Sequence, residues 1–187
     1  MAASPNSTAP PPRVPEPPAV VVMGVSGAGK TVVGRRLAAA LGADFIDGDD
    51  LHTDSARAKM ASGRPLTDED RWPWLDRIAA ALRDGRSRGV ATIAACSALR
   101  HVYRERLRAG VGGGLRFVYL SANRELMRAR VAGRRDHYMP ASLVDSQFAT
   151  LEPPDGERDV VTTPADADLD AAIPKLAAEL MGSPPPS

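Results

Sequence analysis

The 187-residue chain has a single cysteine, Cys96. That excludes an intramolecular disulfide framework and suits a reducing compartment. It has no excess of either charge. A formal net charge of +1 gives no global attraction to nucleic acid or to an anionic membrane. No apolar run is long enough to span a bilayer, and no basic stretch leads into the apolar core of a secretory leader. The cytoplasm is therefore the expected location. There is no internal repeat, and the length suits one domain with a sizeable core. Residues 1–18, rich in Pro, Ala and Ser, have almost nothing to bury and read as a disordered arm. Residues 182–187 read the same way, leaving 19–181 as the folded domain.

One stretch stands out. Gly24-Val25-Ser26-Gly27-Ala28-Gly29-Lys30-Thr31 fits the pattern G-x-x-x-x-G-K-[ST] in every fixed position. The run Ala19-Val20-Val21-Val22-Met23 before it reads as a buried strand. After it, Val33, Leu37 and Leu41 recur at helical spacing, and Gly42 stands where a helix C-cap is expected. Strand, glycine loop and helix form the setting of a phosphate-binding loop. The glycines let the backbone approach a ligand closely and turn its N–H groups inward, and the helix start adds a positive dipole end. Lys30 reaches β- and γ-phosphate oxygens in such a loop, and the Thr31 hydroxyl ligates a Mg²⁺ that bridges them.

Further along, apolar strands alternate with amphipathic helices. Strands are expected at residues 44–47, 90–95, 116–120 and 159–162. Helices are expected at 54–62, from Thr67 to Asp84, from a Ser97 cap to Arg108, at 123–132, 143–151 and 169–181. That alternation predicts a three-layer α/β/α fold of the P-loop NTPase type, with helices on both faces of a central parallel sheet. Ligands gather at the carboxyl ends of such strands. Asp49, just beyond the second strand, is therefore a candidate to accept a substrate hydroxyl proton. Alternatively, Asp47, Asp49 and Asp50 form a solvated turn that caps the next helix. Trp72 and Trp74 are expected to pack, with Arg71 pointing into the cleft. Cys96 reads as a small buried hydrophobe. The fourth helix should bury Leu99, Val102, Tyr103 and Leu107 and leave Arg104, Arg106 and Arg108 solvated. The arginine-rich segment at about 130–140, with Arg130 and Arg134, is either a charged surface hairpin or a lid. A phosphate loop favours the lid, which would bring guanidinium charge onto a moving phosphoryl group.

These residues resemble the gluconate kinases, small P-loop carbohydrate kinases. The resemblance runs from about Val20 to the last helix. It rests on Asp47-Gly48-Asp49-Asp50-Leu51-His52, on Lys59-Met60 with Gly63 and Pro65-Leu66, and on Asp68, Asp70-Arg71 and Pro73-Trp74-Leu75. Cys96-Ser97-Ala98-Leu99, Tyr103-Arg104, Leu107-Arg108, His137-Tyr138, Ser146-Gln147-Phe148 and Leu151-Glu152 extend it. Thr53, Ala56 and Arg100 replace the family's usual proline, asparagine and lysine. The resemblance implies a nucleoside monophosphate kinase-like fold with a lid, ATP and Mg²⁺, transfer to the 6-hydroxyl of D-gluconate, and a homodimer.

On that basis Lys30, Asp49, Arg130 and Arg134 are the expected catalytic groups. Arg71 and Arg100 are the expected partners of the gluconate carboxylate, with His52 and Lys59 as further substrate contacts. A shikimate-type kinase is the nearest rival, but it would carry a glycine triplet where Cys96-Ser97-Ala98 stands. A guanine-nucleotide switch would need Asn-Lys-x-Asp and Asp-x-x-Gly motifs, and the chain has neither. Retention of Lys30, Thr31 and Asp49 argues against a homologue that binds ATP without turnover.

Overall fold

A computed structural model describes residues 17–132 and 141–182. The proposed arm, apart from its last two residues, and the chain beyond Gly182 lie outside them. So does the segment 133–140, with Arg134 and most of the expected lid. Five strands form one sheet: β1 (Ala19–Met23), β2 (Asp44–Asp47), β3 (Thr92–Ala95), β4 (Leu115–Ser121) and β5 (Val160–Pro164). Their order is β2-β3-β1-β4-β5, and every pairing is parallel. Among the described residues the sheet is accompanied by helices α1 (Lys30–Leu41), α2 (Asp54–Ala61), α3 (Asp68–Ser87), α4 (His101–Val111), α5 (Arg124–Ala132), α6 (Ala141–Thr150) and α7 (Leu169–Gly182).

β1 lies at the centre because both of its faces are apolar. Val20 and Val22 point to one side, where they pack with Val33 and Leu37 of α1, Met127 of α5, Val144 of α6, and Leu176 and Leu180 of α7. Ala19, Val21 and Met23 point to the other side, against Leu75, Ile78 and Leu82 of α3 and Leu107 of α4. A two-residue side-chain period applied to an unbroken apolar run thus makes a strand buried on both faces, which a parallel sheet between helices requires. The chain leaves β1 toward β2 and leaves β3 toward β4, so the order reverses beside the carboxyl end of β1. The phosphate loop begins there.

Several expectations about α4 fail. Ser97 does not cap it. The helix begins at His101, after Arg100 in extended geometry, and its first N–H is capped by the Glu152 carboxylate, which accepts from His101 N at 2.6 Å. Ala98 takes a left-handed φ of 42°, and the Ser97 carbonyl turns back to accept the Gly24 N–H. Arg104, expected in solvent, is only 1% exposed. Its guanidinium bonds the Ala98 and Leu99 carbonyls at 3.1 and 3.3 Å, and both Glu157 carboxylate oxygens at 3.0 Å. Arg108 is likewise half-buried and donates to Asp159 at 2.7 Å and to Glu157. Val102, assigned to the apolar face, is 42% exposed. Helix α4 therefore turns a cationic edge inward, toward acids supplied from more than forty residues away. Arg106 does lie in solvent, paired with Asp76. β3 begins at Thr92, two residues late, because Val90 N–H is held by the Gly85 carbonyl as α3 ends.

Burial acts to raise the Glu157 pKa, but hydrogen bonds from Arg104, Arg108 and His101 outweigh it and hold the group down to about 2. A carboxylate with a depressed folded pKa contributes stability that is complete above its ordinary value and is lost as pH falls through the folded value. Urea midpoints should therefore fall as pH drops from about 4.5 toward 2.5. Glu157→Gln should make that decline shallower, while lowering stability at neutral pH because Arg104 stays buried without its counter-ion.

Candidate active site

The loop from Gly24 to Thr31 takes the conformation its glycines permit. Gly24, Gly27 and Gly29 have φ of 142°, 84° and 94°. A Cβ on Gly24 would lie 2.9 Å from the Leu120 carbonyl, so only glycine lets the chain pass between the ends of β3 and β4. Val25 and Ala28 are buried, which turns the loop's backbone rather than its side chains outward. Lys30 Nζ donates to the Val25 carbonyl at 3.1 Å, so the ammonium is folded over the loop. The Ser26 N–H donates to Gln147 Oε1 of α6 at 2.6 Å.

Thr31 brings in Asp47, which the sequence offers as a turn former and as the first residue of the family motif. Its hydroxyl donates to Asp47 Oδ2 at 3.1 Å, while Asp47 Oδ1 accepts the Asp49 N–H at 3.2 Å. Asp47 thus caps the 3-10 turn Gly48–Leu51 and also meets the phosphate loop. A hydroxyl and a carboxylate side by side are the hard oxygen donors that suit Mg²⁺. Among the described residues no group of three or more His, Cys, Asp or Glu forms a metal cage.

Asp49 lies exposed on the same turn. The turn is fixed from below. Trp74 donates its indole N–H to the Gly48 carbonyl at 2.6 Å, and a Cβ on Gly48 would lie 2.2 Å from the Ala95 carbonyl. Trp74 therefore does more than pack, since it also pins the strand end that carries Asp47 and Asp49. His52 stacks on it with ring centroids 4.3 Å apart and is 6% exposed; its Nδ1 has no partner among the described residues. Burial lowers the His52 pKa, with Arg71 and Arg57 assisting and Asp49 opposing. The ring is thus a neutral imidazole. Cys96, at the end of β3, is buried as expected, and burial pushes its thiol up to about 12. The charges of Lys30, Asp49 and Arg71 act on it more weakly than burial does.

A cavity of about 430 Å³ opens among α3, α4 and α6; Arg71 and Arg100 line it, and the phosphate loop, Asp49 and His52 do not. α3 contributes Asp68 and Arg71, the start of α4 contributes Arg100 and Tyr103, and α6 with the residues after it contributes Ser146, Thr150 and Glu152. The Arg71 and Arg100 guanidiniums lie 5.7 and 5.4 Å from the Tyr103 ring centre. Arg100 is partly neutralised by Asp68 at 2.6 Å and Glu152 at 3.5 Å. Arg71 has no ion pair among the described residues and lies on the cavity wall. Tyr103 donates to Asp68 at 2.5 Å, and this bond, ahead of Arg100 and Arg71, holds the Asp68 carboxyl below its ordinary pKa. In the sequence Asp68 stands at a helix start and Tyr103 on a core face, and both belong to the family resemblance. Only their pairing across two helices shows them as cavity walls.

The other candidates are less central. Lys59 is ion-paired with Asp70, whose carboxylate also closes the capping box with Thr67. Lys59 does not line the cavity. Arg130 donates to the Ala165 carbonyl at 3.0 Å, just past β5. Arg134 lies outside the described residues.

A family model described as an AAA domain matches residues 20–154. The chain is 42% identical over 150 residues to the thermosensitive gluconokinase of Escherichia coli (strain K12), covering 80% of each chain. It is 41% identical over 161 residues to the gluconokinase of Gluconobacter oxydans (strain 621H), covering 86% of this chain and 90% of that one. The chain belongs to the gluconokinase family. The crystal structure of a gluconokinase from Sinorhizobium meliloti 1021 superposes on this fold with a TM-score of 0.80 at 42% identity, covering 89% of this chain and 93% of that one. The sequence resemblance to gluconate kinases is thus borne out, as is the expected P-loop fold with its parallel sheet. No helix among the described residues is long and apolar enough to cross a membrane.

A neutral His52 makes a direct prediction. In an NMR pH titration its imidazole should protonate below the ordinary midpoint near 6.5. A midpoint above that value would mean that Asp49, not burial, controls the ring.

Proposed function

We propose that this gluconokinase-family protein transfers the γ-phosphoryl group of ATP to the 6-hydroxyl of D-gluconate, giving 6-phospho-D-gluconate. The observation that supports this reading is a phosphate loop bonded through the Ser26 amide to Gln147 of α6, whose neighbour Ser146 lines a cavity together with Arg71. Gluconate is a polyhydroxylated anion. It needs one cation for its carboxylate and several polar groups along its chain.

In this mechanism the loop N–H groups and Lys30 hold the donor phosphates. Thr31 and Asp47 would hold Mg²⁺, which when bound neutralises charge on the β- and γ-phosphates. Asp49 orients the acceptor hydroxyl and takes its proton as the oxygen attacks phosphorus in line with the leaving ADP oxygen. Arg71 fixes the gluconate carboxylate. Arg100, steadied by Asp68 and Glu152, shapes the same wall. Neutral His52 offers a hydrogen bond without adding charge, and Lys59 adds a long-range cation. Arg130 and Arg134 stabilise charge on the transferring group from a lid at about 130–140. We further infer one kinase domain over 19–181, a homodimer, and a cytoplasmic location.

Steady-state kinetics with gluconate, other sugar acids, shikimate and nucleoside monophosphates tests the reading. Gluconate should be the preferred acceptor. Asp49→Asn should lower kcat by roughly 10²-fold or more with little change in either KM. Arg71→Ala should raise the gluconate KM by roughly tenfold or more and leave that for ATP within about threefold. Near-normal turnover of Asp49→Asn, or equal changes in both KM values for Arg71→Ala, would remove the assigned roles.

A further inference from the structure

Gln147 joins the two halves of the site. Its side-chain oxygen accepts the Ser26 N–H at 2.6 Å across 121 residues of sequence, and the contact is partly buried. The donor is a loop amide, so the acceptor must be Oε1. The carboxamide orientation is therefore fixed, and the same group keeps two N–H donors on Nε2. Gln147 lies on α6, and Ser146 and Thr150 of that helix line the acceptor cavity. α6 is held independently by the buried Val144 and, just beyond its end, by the Glu152 N–H on the Leu99 carbonyl.

Phosphoryl transfer requires the terminal phosphate to lie between the phosphate loop and the acceptor cavity, and Gln147 meets that loop from the helix whose Ser146 and Thr150 line the cavity. A carboxamide suits the position. It accepts from the loop amide without negative charge, which would repel phosphate, and it still offers donors to an oxygen that can only accept. A glutamate here would keep the first contact, lose the donors and add repulsion.

We propose that Gln147 is a substrate-contacting residue that recognises the terminal phosphoryl group. Its Oε1 is fixed on the Ser26 amide and its Nε2 donates to a γ-phosphate oxygen as that group moves toward the acceptor. The proposal rests on the kinase reading above. It assigns to α6 the discrimination of ATP from ADP, and it ties the donor loop to the wall of the acceptor cavity.

The test compares wild type, Gln147→Ala and Gln147→Glu. Calorimetry gives ATP and ADP dissociation constants, and a coupled assay gives kcat, both KM values and ATP hydrolysis without acceptor. Thermal melts confirm that each variant is folded. In Gln147→Glu, ATP binding should weaken by roughly tenfold or more relative to ADP binding, because only ATP carries the terminal group. The gluconate KM should stay within about threefold, because the carboxylate still anchors α6 to Ser26. In Gln147→Ala, kcat should fall by roughly tenfold or more, while the gluconate KM rises only modestly, because Val144 and Glu152 still hold α6. An ATP-to-ADP affinity ratio unchanged from wild type in Gln147→Glu overturns the proposal, whatever happens to turnover. The outcome separates from that of the kinase reading. If wild type consumes no ATP in response to gluconate, the acceptor assignment fails, while the affinity ratio still decides the role of Gln147.

Discussion

The site depends on holding eight residues of backbone against the end of a buried strand. β1 is apolar on both faces, paired on both edges and central in the sheet, which holds its carboxyl end firmly. The loop that leaves it must turn at once between β3 and β4. Gly24 permits this because a side chain there would strike the Leu120 carbonyl, and its own N–H is taken by the Ser97 carbonyl. A phosphate site made of backbone amides needs such rigidity, since each amide is a weak donor whose value lies in being already aimed.

The same carboxyl edge receives the acceptor side of the site, and buried polar contacts do the placing. Trp74 anchors the turn carrying Asp47 and Asp49. Arg104 anchors the segment from Cys96 to Arg100 by binding two of its carbonyls while Glu157 balances its charge. That segment leads both to the loop, through Ser97, and to the cavity, through Arg100. A guanidinium removed from water is expensive unless every donor is used. Here the cost secures a left-handed alanine and a helix start that has no cap from its own sequence neighbourhood.

Much of this was legible in advance where local rules operate. The G-x-x-x-x-G-K-[ST] pattern, the apolar run before it and the Gly42 cap each signal through neighbouring residues, and all three appear as expected. The Thr67 capping box is likewise read from four consecutive residues. Misreadings occurred where a partner comes from far along the chain. Ser97 looks like a cap, but Glu152 does the capping. Arg104 and Arg108 look like a solvated stripe, but Glu157 and Asp159 draw them inward. Asp47 was weighed as a turn residue, and only the return of α1 beside β2 sets it against Thr31.

The sequence by itself determined the alternating strands and helices, the phosphate loop and the membership of a kinase family. Each of these is written in short-range spacing and in the polarity of adjacent residues. The tertiary structure alone decided which charges are paired. It paired Arg100 with Asp68 and Glu152, Lys59 with Asp70, and Arg104 with Glu157, while giving Arg71 no ion pair among the described residues. It also carried Gln147 to the Ser26 amide. The physical reason is that whether a charge or an amide is satisfied depends on what lies within a few ångströms, and in a crossover fold those neighbours are tens of residues apart along the chain.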